Sequence, residues 1–334
     1  MRLITASQAA ELIRDGMTVA TGGFVGNGHP EELSAAVETR FRQSRRPRDL
    51  TLVYAAGQGD GKTRGLNHFG HEGLIKRVIG GHWNLVPAIG RLSNAGLIEA
   101  YNFPQGVIAH LYRVIAAKGP GVITHVGLHT FVDPRLDGGR LNSHTKEELV
   151  EVVRLAGREW LLYKAFPIDV VLLRGTAADA RGNIVLDREA GSFEVLAMAE
   201  AAHNSGGIVI VQVAEYLPEA RFNPWLVKIP GMLVDHVVVA KPENHWQTFA
   251  EQFNPAYCSA GGDAGAARPP MPLDERKIIC RRAALELGAH AIVNLGIGLP
   301  DGISAVVDEE GIRDRLVFTI EAGPVGGLPA AGLS

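Results

Sequence analysis

Cysteine is nearly absent from this sequence: Cys258 and Cys280 are the only two in 334 residues. With no CxxC pair they offer neither a disulfide framework nor a zinc site, and a reducing cytoplasm is the expected compartment. Long apolar runs are missing as well. No stretch approaches the roughly 18 residues that span a membrane, and the opening MRLITASQAAELIRDG carries Glu11 and Asp15 where a secretory leader has an apolar stretch. Charge of one sign is scarce. A net charge of −3 provides no concentrated positive field, which argues against nucleic acid or an anionic membrane as partner. HExxH and GxSxG are absent, so a zinc protease or a hydrolase triad has no foothold. The 12 histidines, His68, His71, His82, His110, His125 and His129 among them, form no compact set with carboxylates. Neither a metal nor a resident cofactor is expected.

What is present fits a globular enzyme, with 46% hydrophobic and 21% charged residues, in a chain long enough for two α/β domains. Val- and Ile-rich runs at residues 17–20, 50–54, 121–126, 168–173, 208–213 and 234–240 alternate with helical stretches. They read as buried strands of mainly parallel sheets. Thr5 with Gln8, and Thr145 with Glu148, have the spacing of capping boxes that open helices. Residues 259–272, rich in Gly, Ala and Pro, read as a linker. The expected division is therefore residues 1–257, a linker at 258–273, and a second domain over 274–334.

An internal repeat crosses that linker. Residues 5–57 run helix, Gly16, strand, glycine loop, Pro30, helix, Arg48-Asp49, strand. Residues 274–323 run helix, Gly288, strand, Gly296 to Gly298, Pro300, helix, Arg313-Asp314, strand. Two related open sheets of this kind would pack around a cleft suited to small molecules. The second is expected to be incomplete, finished by a downstream segment or by a separate chain.

Three loops invite a chemical reading. Residues 56–63, AGQGDGKT, loosely fit a phosphate-binding loop, but Ala56 replaces the first glycine and Gly65, Gly70 and Gly73 make a poor helix start. An ordinary glycine loop is the better description. Gly22, Gly23 and Phe24 follow the first strand without the dinucleotide-binding spacing, and Pro30 interrupts the helix start. Glu321 follows the last strand directly, at a position where α/β sheets present groups to ligands. It is either a catalytic carboxylate or an exposed loop carboxylate.

The stretch DGMTVATGGFVGNGHP at residues 15–30 resembles the first signature of the family I CoA transferases, the acetate, propionate and 3-oxoacid enzymes, departing from it at Thr21. IEAGPVGG at residues 320–327 is similar to the segment around that family's catalytic glutamate. In the short-chain acyl-CoA:acetate branch, whose members are single chains, it takes this variant form. GGHW at 80–83, YNFPQG at 101–106 and RGTAAD at 174–179 also look like that branch. The resemblance implies an α-type half and the start of a β-type half, with Glu321 as nucleophile of a ping-pong exchange between an acyl-CoA and a short monocarboxylic acid. It implies that Gln105 lines the acyl end of the pocket; as a bare residue it could instead satisfy local backbone. Gly22, Gly23, Phe24, Gly296, Gly298, Ala322 and Gly323 would shape the substrate pocket. A homodimer or tetramer is expected, with a C-terminal segment or β-type chain completing the second half. An acyl-CoA hydrolase on the same scaffold, or a non-catalytic α-type half needing a partner, are the alternatives.

Overall fold

The computed structural model describes residues 1–258, 270–296, 298–320, 323, 325 and 326. The chain divides into two compact units, Met1–Asn254 and Pro255–Ser334. The first unit begins β1 (Arg2–Leu3), α1 (Ala6–Leu12), β2 (Thr18–Thr21), α2 (Glu31–Ser44), β3 (Leu50–Tyr54), β4 (Ile75–Gly80), α3 (Pro87–Asn94), β5 (Glu99–Asn102) and α4 (Gln105–Ala116). It continues β6 (Gly121–Thr124), β7 (Val150–Leu155), β8 (Arg158–Lys164), β9 (Val170–Asp179), β10 (Ile184–Val185), α5 (Val195–Asn204), β11 (Ile208–Leu217), β12 (Val227–Ile229) and β13 (His236–Val239).

The main sheet has the order β1-β13-β11-β9-β2-β3-β4-β5, and every neighbouring pair along it is parallel. Short β10 and β12 add antiparallel pairings beside β9. Because both faces are covered, the strands read as continuous apolar runs whose alternate residues enter different cores. Val19, Leu52, Val170 and Leu172 pack with Ile13, Leu33, Val37 and Phe41 of α1 and α2 or their flanks. Their neighbours Ala20, Val53, Val171 and Leu173 pack on the other face with Ile108, Leu111 and Met198 of α4 and α5. From β2 the chain builds outward through β3, β4 and β5, then returns to lay β9 on the opposite side of β2. That reversal is the topological switch point, and ligands bind such sheets at the carboxyl ends of the strands there.

Thr5 caps α1 as expected. Its hydroxyl accepts the Gln8 N–H at 3.2 Å, and the Gln8 side-chain oxygen Oε1 accepts the Thr5 N–H at 2.9 Å. Two other expectations fail. The run at 121–126 yields β6, which lies outside the parallel sheet in a three-stranded antiparallel sheet, β6-β8-β7. Thr145 opens no helix: its hydroxyl accepts the Ala100 N–H at 2.8 Å along the outer side of β5. The surrounding chain completes that cover, with Leu141 N–H on Ala100 O and Asn102 N–H on Gly139 O. The outer edge of β5 is thereby paired rather than open.

The second unit contains α6 (Glu275–Ala284), β14 (Ile292–Leu295), α7 (Gly302–Glu309) and β15 (Val317–Ile320). β14 and β15 pair in parallel, Leu295 opposite Ile320, around Cys280, Ala284, Leu295, Val306, Val307 and Phe318. This repeats the order α1, β2, α2, β3, in which β2 and β3 also pair in parallel. Among the described residues, no helix is long and apolar enough to cross a membrane.

Candidate active site

At the switch point, β2 ends against β9. The Gly22 N–H donates to Leu172 O at 3.3 Å, and a side chain at Gly22 would press on Leu173 and Met198. Gly23 has φ of +128°, and a Cβ there would stand 2.9 Å from both Asn27 O and His29 N. Only glycine permits this fold-back. The loop closes through Phe24 N–H to Asn27 O at 2.8 Å and Asn27 N–H to Phe24 O at 2.9 Å. The Phe24 ring stays half-buried, nearly parallel to Phe193, with centroids 6.4 Å apart.

Beneath this loop runs a buried polar chain. The Gln58 amide donates to Thr21 O at 3.0 Å, and its oxygen faces His29 Nδ1 at 2.8 Å. His29 Nε2 then accepts from the Ser34 hydroxyl at 3.0 Å. Burial lowers the pKa of His29 to about 4, so the ring is neutral. Next to it, Glu31 accepts the Gly65 N–H at 2.9 Å and faces His68 Nε2 at 3.0 Å. Glu38 holds His68 Nδ1 and, at 2.6 Å, His71 Nε2. With a carboxylate at each ring nitrogen, His68 carries both protons. Burial opposes that charge, but the hydrogen bonds to Glu31 and Glu38 outweigh it and raise the pKa to about 9. Burial likewise opposes charge on Glu31 and Glu38, yet His68 and its neighbours bring each down to about 2.

This network anchors the loop after β3 to α2, and it disposes of the phosphate-loop reading. One oxygen of Asp60 accepts the N–H groups of Lys62, Thr63 and Arg64 at 2.8, 2.9 and 3.0 Å. The donors that would cradle a phosphate are occupied by the chain's own carboxylate, and no α-helix begins at Lys62 or Thr63.

Gln105 occupies the first turn of α4, after Pro104. It approaches the end of β4 so closely that a Cβ on Gly81 would stand 2.6 Å from its Cγ and 2.2 Å from Ala55 O. Its half-buried amide makes no hydrogen bond to the described residues. A second buried cluster is built on Arg174, within β9. Arg174 Nε lies 2.9 Å from Glu189, which also faces His245 at 3.4 Å. Arg174 donates to Trp246 O at 2.7 Å. With Arg188, Gln247 and Phe253 these side chains line a cavity of about 380 Å³. The sequence reading missed Glu189, His245 and the network of Glu31 and Glu38. Glu31 and Glu38 share one face of a helix two turns apart, which was a legible signal.

In the second unit, Gly296 and Gly298 follow β14, with φ of +101° at Gly298 and +108° at Gly323 beyond β15. Glu321 and Ala322 lie outside the described residues. Among the described residues no group of three or more His, Cys, Asp or Glu could hold a metal ion.

The coenzyme A transferase family profile matches residues 3–240. The chain belongs to the coenzyme A transferase family. It is 44% identical over 331 residues to the caffeate CoA-transferase of Acetobacterium woodii, covering 99% of this chain and 63% of that protein. It is 37% identical over 337 residues to the acetate CoA-transferase YdiF of Escherichia coli strain K12, covering 99% and 62%. The chain thus spans just under two thirds of the length of these two relatives. The apoenzyme crystal structure of the acyl-CoA transferase YdiF from Escherichia coli O157:H7 superposes with a TM-score of 0.91 at 36% identity, covering 99% of this chain and 64% of that one. A thioester complex of that transferase with CoA superposes at 0.90. Glutaconate CoA-transferase of Acidaminococcus fermentans, at 22% identity and a TM-score of 0.58, shares the fold.

Proposed function

We propose that this protein transfers CoA from a short-chain acyl-CoA to a free monocarboxylic acid, with Glu321 as the covalent carrier. The observation that carries the reading is the 0.91 superposition on an acyl-CoA transferase over 99% of the chain, together with the match of residues 320–327 to the family's glutamate segment. Acetate and caffeate, the acids named for the two relatives, are both monocarboxylates.

The Glu321 carboxylate attacks the thioester carbonyl carbon. The C–S bond breaks, CoA leaves as thiolate, and a mixed acyl-glutamyl anhydride remains. The thiolate then attacks the glutamyl carbonyl carbon, the bond to the acyl carboxylate breaks, and a glutamyl-CoA thioester forms as the first acid departs. The incoming acid runs both steps in reverse. Every step is an acyl substitution without change of oxidation state, so the chemistry balances without a metal or redox cofactor. A carboxylate is a weak nucleophile, and donors to each tetrahedral oxyanion make up the difference; one such donor is typically worth ~3 kcal/mol. Gln105, its amide unused, hydrogen-bonds the acyl carbonyl or the acid's carboxylate. We place the enzyme in the cytoplasm, in keeping with its unpaired Cys258 and Cys280, and propose a homo-oligomer.

Incubating the protein with acetyl-CoA and trapping with borohydride or hydroxylamine should label Glu321, located by mass spectrometry. Glu321→Gln should lose CoA exchange by on the order of 10⁴-fold or more. Retained exchange in that variant defeats the proposal, whereas CoA release without an acceptor acid identifies a hydrolase.

A further inference from the structure

Phe193 has φ of +41°, a left-handed backbone that is unfavourable for an aromatic residue and persists only where the surroundings enforce it. The ring it carries is tightly seated. A Cβ on Gly28 would stand 3.0 Å from two of its ring carbons, and one on Gly191 would stand 2.9 Å from its Cζ. Neither Phe193 nor Phe24 belongs to either buried cluster of the first unit. Both rings stay half-buried and lie within 15° of parallel. They stand beside the switch point, where Gly22 meets Leu173 of β9 and Met198 of α5, the helix that Phe193 precedes by two residues. Strain at an aromatic residue that serves no core, next to the crevice where such sheets bind ligands, marks the residue for recognition rather than packing.

We infer that Phe193 is a specificity-determining residue for the acyl substituent, and that with Phe24 it selects acids carrying a flat conjugated or aromatic group over acetate. Aromatic faces attract other π-systems in offset or edge-on contact, whereas a methyl group covers little of either ring. The inference rests on the proposed CoA-transfer reading and names its substrate class.

The test uses the full chain, acetyl-CoA or propionyl-CoA as donor, and two acceptors, trans-3-phenylpropenoate and acetate. Wild-type protein should show the higher kcat/KM with the phenylpropenoate. In Phe193→Leu the ratio of the two kcat/KM values should fall at least tenfold, with acetate changed less than threefold. Phe193→Gly removes the ring and also relieves the left-handed backbone, so it guards against a simple folding defect and should give the same fall in ratio. A wild-type preference for acetate overturns the inference. So does a ratio that falls less than tenfold in both variants, or parallel losses with both acids. Wild-type protein that transfers CoA to neither acid defeats instead the reading on which the inference rests.

Discussion

His68 is held between the carboxylates of Glu31 and Glu38 with its side chain only 15% exposed, and its charge is therefore coupled to folding. Its folded pKa of about 9 lies above the ordinary imidazole value of 6.5, so its contribution is complete below pH 6.5 and is lost as pH rises through 9. That difference corresponds to about 3 kcal/mol. Glu31 and Glu38, lowered from 4.5 to about 2, contribute fully above pH 4.5 and lose their share as pH falls toward 2. His29, lowered to about 4 by burial, stabilises above pH 6.5 and loses its share as pH falls through 4. These signs place the stability maximum from this cluster near pH 6.5. Urea unfolding between pH 6.5 and 9 should show wild-type stability falling by up to about 1.4 kcal/mol per pH unit from this group. His68→Asn should lack that component; an unchanged slope would sink the assignment. Of this the sequence carried only the spacing of Glu31 and Glu38 on one helix face. It showed many histidines and many acids, but spacing along the chain does not reveal that a 3₁₀ turn at Leu66–Phe69 brings His68 against α2.

The elements of the main sheet were the most legible part, because a strand buried on both faces must be apolar at successive positions. Residues 50–54 coincide with β3, and β9 and β11 start within two residues of the readings, although both run further toward the site. An apolar run does not name its partner, however. β6 has the same Val-Ile content yet pairs antiparallel with β8, leaving Ile123 45% exposed. Thr145 failed for a related reason: a Thr-x-x-Glu spacing can open a helix, but here the hydroxyl is used by a strand edge. Thr145→Val should leave the Ala100 N–H buried without an acceptor and cost about 1–3 kcal/mol. Faster exchange of the Ala100 amide and a lowered melting temperature would show it. Unaltered exchange at Ala100 would mean that another group covers this edge.

At the scale of the molecule, the Gly, Pro and Arg-Asp punctuation disclosed that α1-β2-α2-β3 recurs as α6-β14-α7-β15, since loop geometry leaves marks in sequence. The order of strands across the sheet leaves none. β2 joins β3 through a short helical crossover but is tied to β9 from far along the chain. The Thr18 N–H donates to Asp169 at 2.7 Å across 151 residues. Closing so long a loop costs entropy before any contact repays it. The half from β2 to β5 should therefore form first. In pulse-labelled hydrogen exchange during refolding, the Leu52 and Val78 amides should gain protection before Gly22, whose N–H is held by Leu172 of β9. Simultaneous protection would refute that order. If it holds, the crevice is among the last features the polypeptide acquires, and a chain halted before β9 has no switch point at which to bind a ligand.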